Sequence, residues 1–201
     1  MSSFSESFLT EAATVLKALD HQEVERLALA LGQLRDRGGR LFVLGVGGSA
    51  AYAAHAVSDF RKITGLEAYA PTDNVAELTA RINDDGWDTS FVNWLQGSRM
   101  TADDGLFILS VGGGSKQPPV SVNLVKAIEY AQQVHARVFG IVGRDGGFTK
   151  QAAEAAVIIP PLFSERVTAH TEGLCPVVWH LLVFHPALKA KATKWESLNP
   201  R

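Results

Sequence analysis

The stretch Leu41-Phe42-Val43-Leu44-Gly45-Val46-Gly47-Gly48-Ser49-Ala50-Ala51, running on to His55 and Asp59, constrains this chain most. A short apolar run breaks into glycines, a serine follows, and an alanine-rich segment takes up helical spacing. This pattern is strand, tight turn and helix N-terminus. Glycine lets backbone approach a ligand closely, and a helix start offers free N–H groups and partial positive charge to an anion. Gly47, Gly48 and Ser49 are therefore expected to cradle a phosphate. His55 and Asp59, at i and i+4, share a helix face and form an acid/base or metal-ligating pair. The dinucleotide fingerprint G-x-G-x-x-G is not met, because Ala50 stands at the third glycine, so no nucleotide cofactor is expected.

A second apolar run, Leu106-Phe107-Ile108-Leu109, ends in the same way, in Ser110-Val111-Gly112-Gly113-Gly114-Ser115. Two strand-end turns carrying Ser49, Ser110, Gly112 and Ser115 can surround one phosphate with hydroxyl and backbone donors. Pro118-Pro119 then delays the next helix. Between and after these turns the apolar pattern alternates. Strands are expected near 40–45, 67–70, 105–110, 137–142 and 156–159. Helices are expected near 49–63, 74–82, 88–97, 120–135, 148–153 and 170–184. Such alternation argues for an α/β fold: a doubly wound, mainly parallel five-stranded sheet with helices on both faces. Ligands then bind at the carboxyl ends of the strands. Residues 1–36 form a helical pair ahead of the first strand, serving either as an oligomerisation surface or as a lid on the domain's own core. Residues 40–185 form the core and 186–201 a tail, whose stretch Lys189-Ala190-Lys191-Ala192-Thr193-Lys194 is expected as a solvated basic helix or a frayed end. The whole of 1–201 is expected to be one domain.

Composition narrows the partners. A net charge of −2 with no basic block argues against nucleic acid as a direct ligand. The single Cys175 excludes an internal disulfide and suits a reducing cytoplasm. No uninterrupted apolar run approaches the ~18 residues of a membrane span, and the first residues lack a basic secretory region. A cytoplasmic protein with no membrane partner is expected.

Gly-x-Gly-Gly-Ser after a strand, a later Ser-x-x-Gly-x-Ser turn and a terminal helix holding a histidine resemble a sugar isomerase (SIS) domain, and within it the phosphoheptose isomerases. Leu78-Thr79-Ala80 with Asn83-Asp84, and Gly143-Arg144-Asp145-Gly146-Gly147, add to the likeness, which runs from about residue 5 to 185. The resemblance implies that Ser49, Ser110 and Ser115 hold phosphate and that Asp84 and Glu172 contact substrate. Asp59 and His180 become the proton-transfer pair, and His55, Asp59, Glu172 and His180 the positions that hold zinc. It further implies a homo-oligomer, tetramer or dimer, with active sites near subunit interfaces. This chain departs from the family pattern at Val46, Asp59, Val111-Gly112, Ala169 and Glu172.

The chemistry follows on its own terms. Interconverting a ketose and an aldose phosphate through an enediolate needs a base, a group to manage the oxygen proton, and stabilisation of the oxyanion. Asp59 and His180 suit the first two roles. Two imidazoles and two carboxylates suit zinc, or a harder ion such as manganese. Glu172 and His180 lie about 12 Å apart along an ideal helix, so joint ligation asks for long reaches, a bend at Pro176 or a neighbouring subunit. The expected function is isomerisation of a phosphorylated ketose, sedoheptulose 7-phosphate first. The alternative is a non-catalytic SIS protein binding a sugar phosphate or a protein partner, such as a replication-initiator-binding regulator.

Overall fold

In the computed structural model, which describes residues 3–198, five strands make one parallel sheet: β1 (Arg40–Leu44), β2 (Glu67–Tyr69), β3 (Gly105–Ser110), β6 (Arg137–Val142) and β7 (Ala155–Ile158). Their order is β2-β1-β3-β6-β7. The strands read as unbroken apolar runs because both faces are covered, and alternate side chains serve opposite layers. Leu41, Val43, Phe107 and Leu109 pack with the first two helices and the last long one, α1 (Phe4–Lys17), α2 (His21–Asp36) and α8 (Val167–Phe184). Phe42, Leu44, Leu106 and Ile108 pack on the other face with α5 (Ser90–Gly97) and α6 (Val122–Gln133). Each strand lies within a residue of its expected place.

The two N-terminal helices differ in how much of them is buried. Asp20 caps α2 by accepting from the Gln22 and Glu23 N–H groups, and Leu27, Leu31 and Leu34 of α2 are fully buried against the sheet. That helix is a lid on its own core. Helix α1 buries only Val15 completely and leaves Phe4 and Leu9 exposed.

Three local features differ from expectation. Helix α3 (Gly48–Asp59) ends in a π-helical turn, Phe60–Thr64. There the Thr64 hydroxyl donates to the Phe60 carbonyl, and Gly65 closes the turn at φ 73°. The segment after α8 is docked rather than solvated: Leu188 is fully buried, and the Ala190 and Lys191 N–H groups both donate to the Ile63 carbonyl. Beyond it, α9 (Lys194–Leu198) is exposed. Finally, Ser115 does not lead into a helix. It opens a small antiparallel hairpin, β4 (Ser115–Lys116) and β5 (Pro119–Val120), joined through Gln117 and Pro118. Proline at 118 and 119 forbids the i→i−4 bonds a helix needs there, so α6 starts only after Ser121. Among the described residues no helix is long and apolar enough to cross a membrane.

Candidate active site

After β1 the chain crosses to β2 on one side, and β3 then starts the other side of the sheet. The gap between the carboxyl ends of β1 and β3 is the place where doubly wound folds bind ligands. Here it is a cleft of about 850 Å³, lined by Val46, Ser49, Ser110, Val111 and Gly112, by Val120 and Ser121, by Arg144 and Asp145, and by Ser164, Thr168 and Glu172 of the α8 approach. The two serine-bearing turns do converge.

Each donor is set by its local fold. Gly47 stands at φ 62°, a conformation glycine takes without strain, and turns the chain from β1 into α3. Ser49 follows in the first turn, 6% exposed, with its hydroxyl on the cleft wall. The Ser110 Oγ accepts from the Gly113 N–H at 3.0 Å, which leaves its own proton to donate into the cleft. Glu172, reaching across from α8, brings Oε1 to 3.2 Å from where a Cβ on Gly48 would stand. Its carboxylate thus lies beside the start of α3, as its cleft-lining position requires.

A second group of polar side chains lies further down the same two helices. Asp59 Oδ2 is 3.3 Å from His55 Nε2 and 3.2 Å from His180 Nε2. It also accepts from the Trp179 indole N–H at 3.1 Å. One ligand atom from each of His55, Asp59 and His180 falls within 4.8 Å of the others. Two imidazoles and one carboxylate are a donor set that zinc takes while keeping a position open. The Trp179 bond orients the carboxylate in the way outer-shell donors do.

Several expected placements are corrected. Glu172 is not in this group; α8 continues through Pro176 as one helix, and the eight-residue spacing keeps Glu172 about 12 Å from His180 along it. None of His55, Asp59 and His180 lines the cleft. Ser115 lines a separate 640 Å³ cavity behind the β4–β5 hairpin, and Ser121, at the start of α6, brings the hydroxyl to the cleft instead. Asp84, on helix α4 (Val75–Asp85), pairs with Asn83 on an exposed face and does not reach the cleft. His170, near the start of α8, is buried with its Nε2 3.0 Å from Glu11 Oε2, and Arg166 Nε lies 3.1 Å from the same oxygen. Burial pushes the Cys175 thiol up to about 12, with the Glu172 charge adding to it, so it is no nucleophile. Ser121, Ser164 and Thr168 are cleft residues that sequence reasoning did not select, and Arg144 and Asp145 entered it only as part of a family motif. A serine immediately after Pro-Pro-Val and before an apolar-periodic segment is an N-cap signal that was there to be read for the first.

Comparison with known proteins sets this geometry in context. The chain is 34% identical over 142 residues to the phosphoheptose isomerase of Geotalea daltonii, covering 68% of each chain. It is 30% identical over 192 residues to that of Trichlorobacter lovleyi, covering 90% of each. The structure of the phosphoheptose isomerase GmhA from Neisseria gonorrhoeae superposes with a TM-score of 0.75 at 24% identity, over 89% of this chain and 95% of that one. At that identity the superposition speaks for the fold. No family model matches the chain.

Proposed function

The chain belongs to the phosphoheptose isomerase family, and on that premise we propose that it isomerises a phosphorylated ketose to the aldose, with sedoheptulose 7-phosphate as the first substrate. The observation that carries this is the meeting of the β1 and β3 turns in one cleft, with Ser49 and Ser110 on its wall. Hydroxyl protons from Ser49, Ser110 and Ser121, with the N–H groups that open α3, suit the phosphate end of the sugar.

Asp59 and His180 are the proton-transfer pair in this proposal. One takes a proton from C1 to give the enediolate, a proton returns to C2, and the O1 proton passes to O2, so that ketose becomes aldose with no change in composition. The Trp179 N–H keeps the Asp59 carboxylate aimed between the two histidines. His55, Asp59 and His180 are the residues that would hold a divalent ion such as zinc, and when bound it would polarise the sugar oxygens.

Within one chain the cleft and this pair are separate, which supports a homo-oligomer, tetramer or dimer, whose sites are completed near subunit contacts. Val177, between Glu172 and His180 on α8, and Leu181, next to His180, are exposed and border an apolar groove with Leu16, Leu19 and Val24. A cytoplasmic enzyme is consistent with the one cysteine being reduced and buried. The experiment incubates purified protein with sedoheptulose 7-phosphate, with and without zinc, and follows aldose formation, with oligomer mass measured by light scattering. Binding without turnover under every metal tried would replace the isomerase with a non-catalytic sugar-phosphate-binding protein.

A further inference from the structure

We propose that Arg144 is the cation that receives the substrate's phosphate in the cleft, an assignment that rests on the isomerase reading for the identity of the molecule bearing that phosphate. The charged side chains on the cleft wall are Arg144, Asp145 and Glu172. A phosphate monoester carries a charge approaching −2 near neutral pH. Serine hydroxyls and helix starts contribute only partial charges against it, while both carboxylates repel it. Val111 and Gly112 bring no side-chain donor. Arg144 is the one full positive charge that the described lining offers, and a guanidinium matches phosphate geometry with two parallel donors.

This arginine is uncommitted. Arg40 is paired with Asp104, Arg81 with Glu77, Arg137 with Glu154 and Arg166 with Glu11. Arg144 is exposed, and among the described residues it has no hydrogen bond or ion pair. It also lines the neighbouring cavity behind the hairpin, so its side chain stands on the ridge between the two spaces.

Its backbone is nevertheless fixed relative to the serines. The Gly143 N–H donates to the Ser110 carbonyl at 3.2 Å. The Phe148 and Thr149 N–H groups, at the start of α7 (Gly147–Ala152), donate to the Gly114 and Gly113 carbonyls at 2.8 and 2.9 Å, and the Thr149 hydroxyl adds a third bond to Gly113. A Cβ on Gly113 would stand 2.0 Å from the Gly146 carbonyl oxygen, so the two turns touch backbone to backbone. These bonds consume donors at the start of α7, and the Asp145 side chain accepts from the Gly147 N–H. The full positive charge that the β6 turn presents to an anion is the Arg144 side chain. It is presented at φ 51°, in the left-handed region where a side chain costs stability and glycine does not. An unfavourable backbone carrying an unpaired charge at the edge of a cleft is the pattern of a residue held for binding.

That backbone supplies the test. Arg144→Gly removes the cation and relieves the φ, so the variant should melt no lower than the parent, and any loss of binding is then not a folding defect. Binding of inorganic phosphate and of sedoheptulose 7-phosphate is measured by calorimetry for the parent, Arg144→Gly and Arg144→Lys, alongside KM and kcat. Arg144→Gly should weaken both ligands by about tenfold or more, the scale of a lost charged hydrogen bond. The loss should fall on KM rather than kcat, and Arg144→Lys should recover part of it. Parent-like affinity in Arg144→Gly overturns the assignment and leaves the isomerase reading standing. Loss of phosphate binding in Arg144→Gly, with no turnover by the parent, upholds the assignment and overturns the isomerase reading. Failure of the parent to bind either ligand overturns both.

Discussion

The cleft and the His55–Asp59–His180 group use the same two helices, α3 and α8, and are built in opposite ways. The cleft is made of strand-end turns whose backbones are bonded to one another, as Gly113 and Gly114 are to the start of α7. Its hydroxyls, on Ser49, Ser110 and Ser121, are carried by short side chains. The histidine group hangs on helix faces: the His55 and His180 side chains are 55% and 44% exposed, and only Asp59 between them is largely covered. On the proposed reading, the phosphate, common to many sugars, needs a fixed cradle, whereas proton transfer needs groups that can change charge, which solvent access allows. Separation along the helices lets the two be tuned independently.

Four measurements test that division, from the largest effect to the smallest. His180→Gln and Asp59→Asn should each lower kcat/KM by about a hundredfold or more, with phosphosugar affinity close to the parent's. An equal loss of binding would dissolve the distinction. Ser110→Ala and Ser121→Ala should raise KM by about tenfold and leave kcat near its original value, the scale of one hydrogen bond to a charged group. Ser115→Ala, facing the other cavity, should change neither, and an effect there would move the cradle to the hairpin. Gly112→Ser should improve KM about threefold, because a Cβ at Gly112 meets nothing within 4 Å and points no clash at the cleft. Failure to improve would mean that the cradle is already saturated with donors.

The last effect is a null one. Burial works against the charged form of Asp104, but the Arg40 guanidinium with the Thr101 and Arg40 N–H groups outweighs it and holds the carboxyl below its usual range. A depressed folded-state value gives stability that is fully present above the unfolded value of about 3.9 and lost as pH falls through the folded one. Urea unfolding should therefore show no contribution from Asp104 to any change between pH 8 and pH 5. Activity changing in that window would then not come from loss of the Asp104–Arg40 pair.

The sheet was readable because parallel strands buried on both faces are continuous apolar runs, and Leu41–Leu44 and Leu106–Leu109 carry that mark without ambiguity. The convergence of Ser49 and Ser110 was readable too, since both follow strands that flank the point where the sheet order reverses. What escaped was decided by non-local contacts. Nothing near His170 announces Glu11, 159 residues earlier, as the partner that draws it inward. The docking of Ala190 and Lys191 onto the Ile63 carbonyl likewise depends on where α3 ends in space. The hairpin is hidden for a local reason: Gly112–Ser115 imitates a helix-opening turn, and Pro118-Pro119 shapes two strands besides delaying a helix. The distance between Glu172 and His180, by contrast, followed from helix rise alone.

Trp179 gives the molecule a built-in optical probe. Its indole is sealed from water, with its N–H on Asp59 and its ring centroid 5.3 Å from His55 and 5.2 Å from His180. An imidazolium or a bound cation at that range alters indole emission, so each proton or ion gained there becomes visible as light. With Trp87, Trp94 and Trp195 replaced by phenylalanine, stopped-flow fluorescence can follow those events in real time without a label.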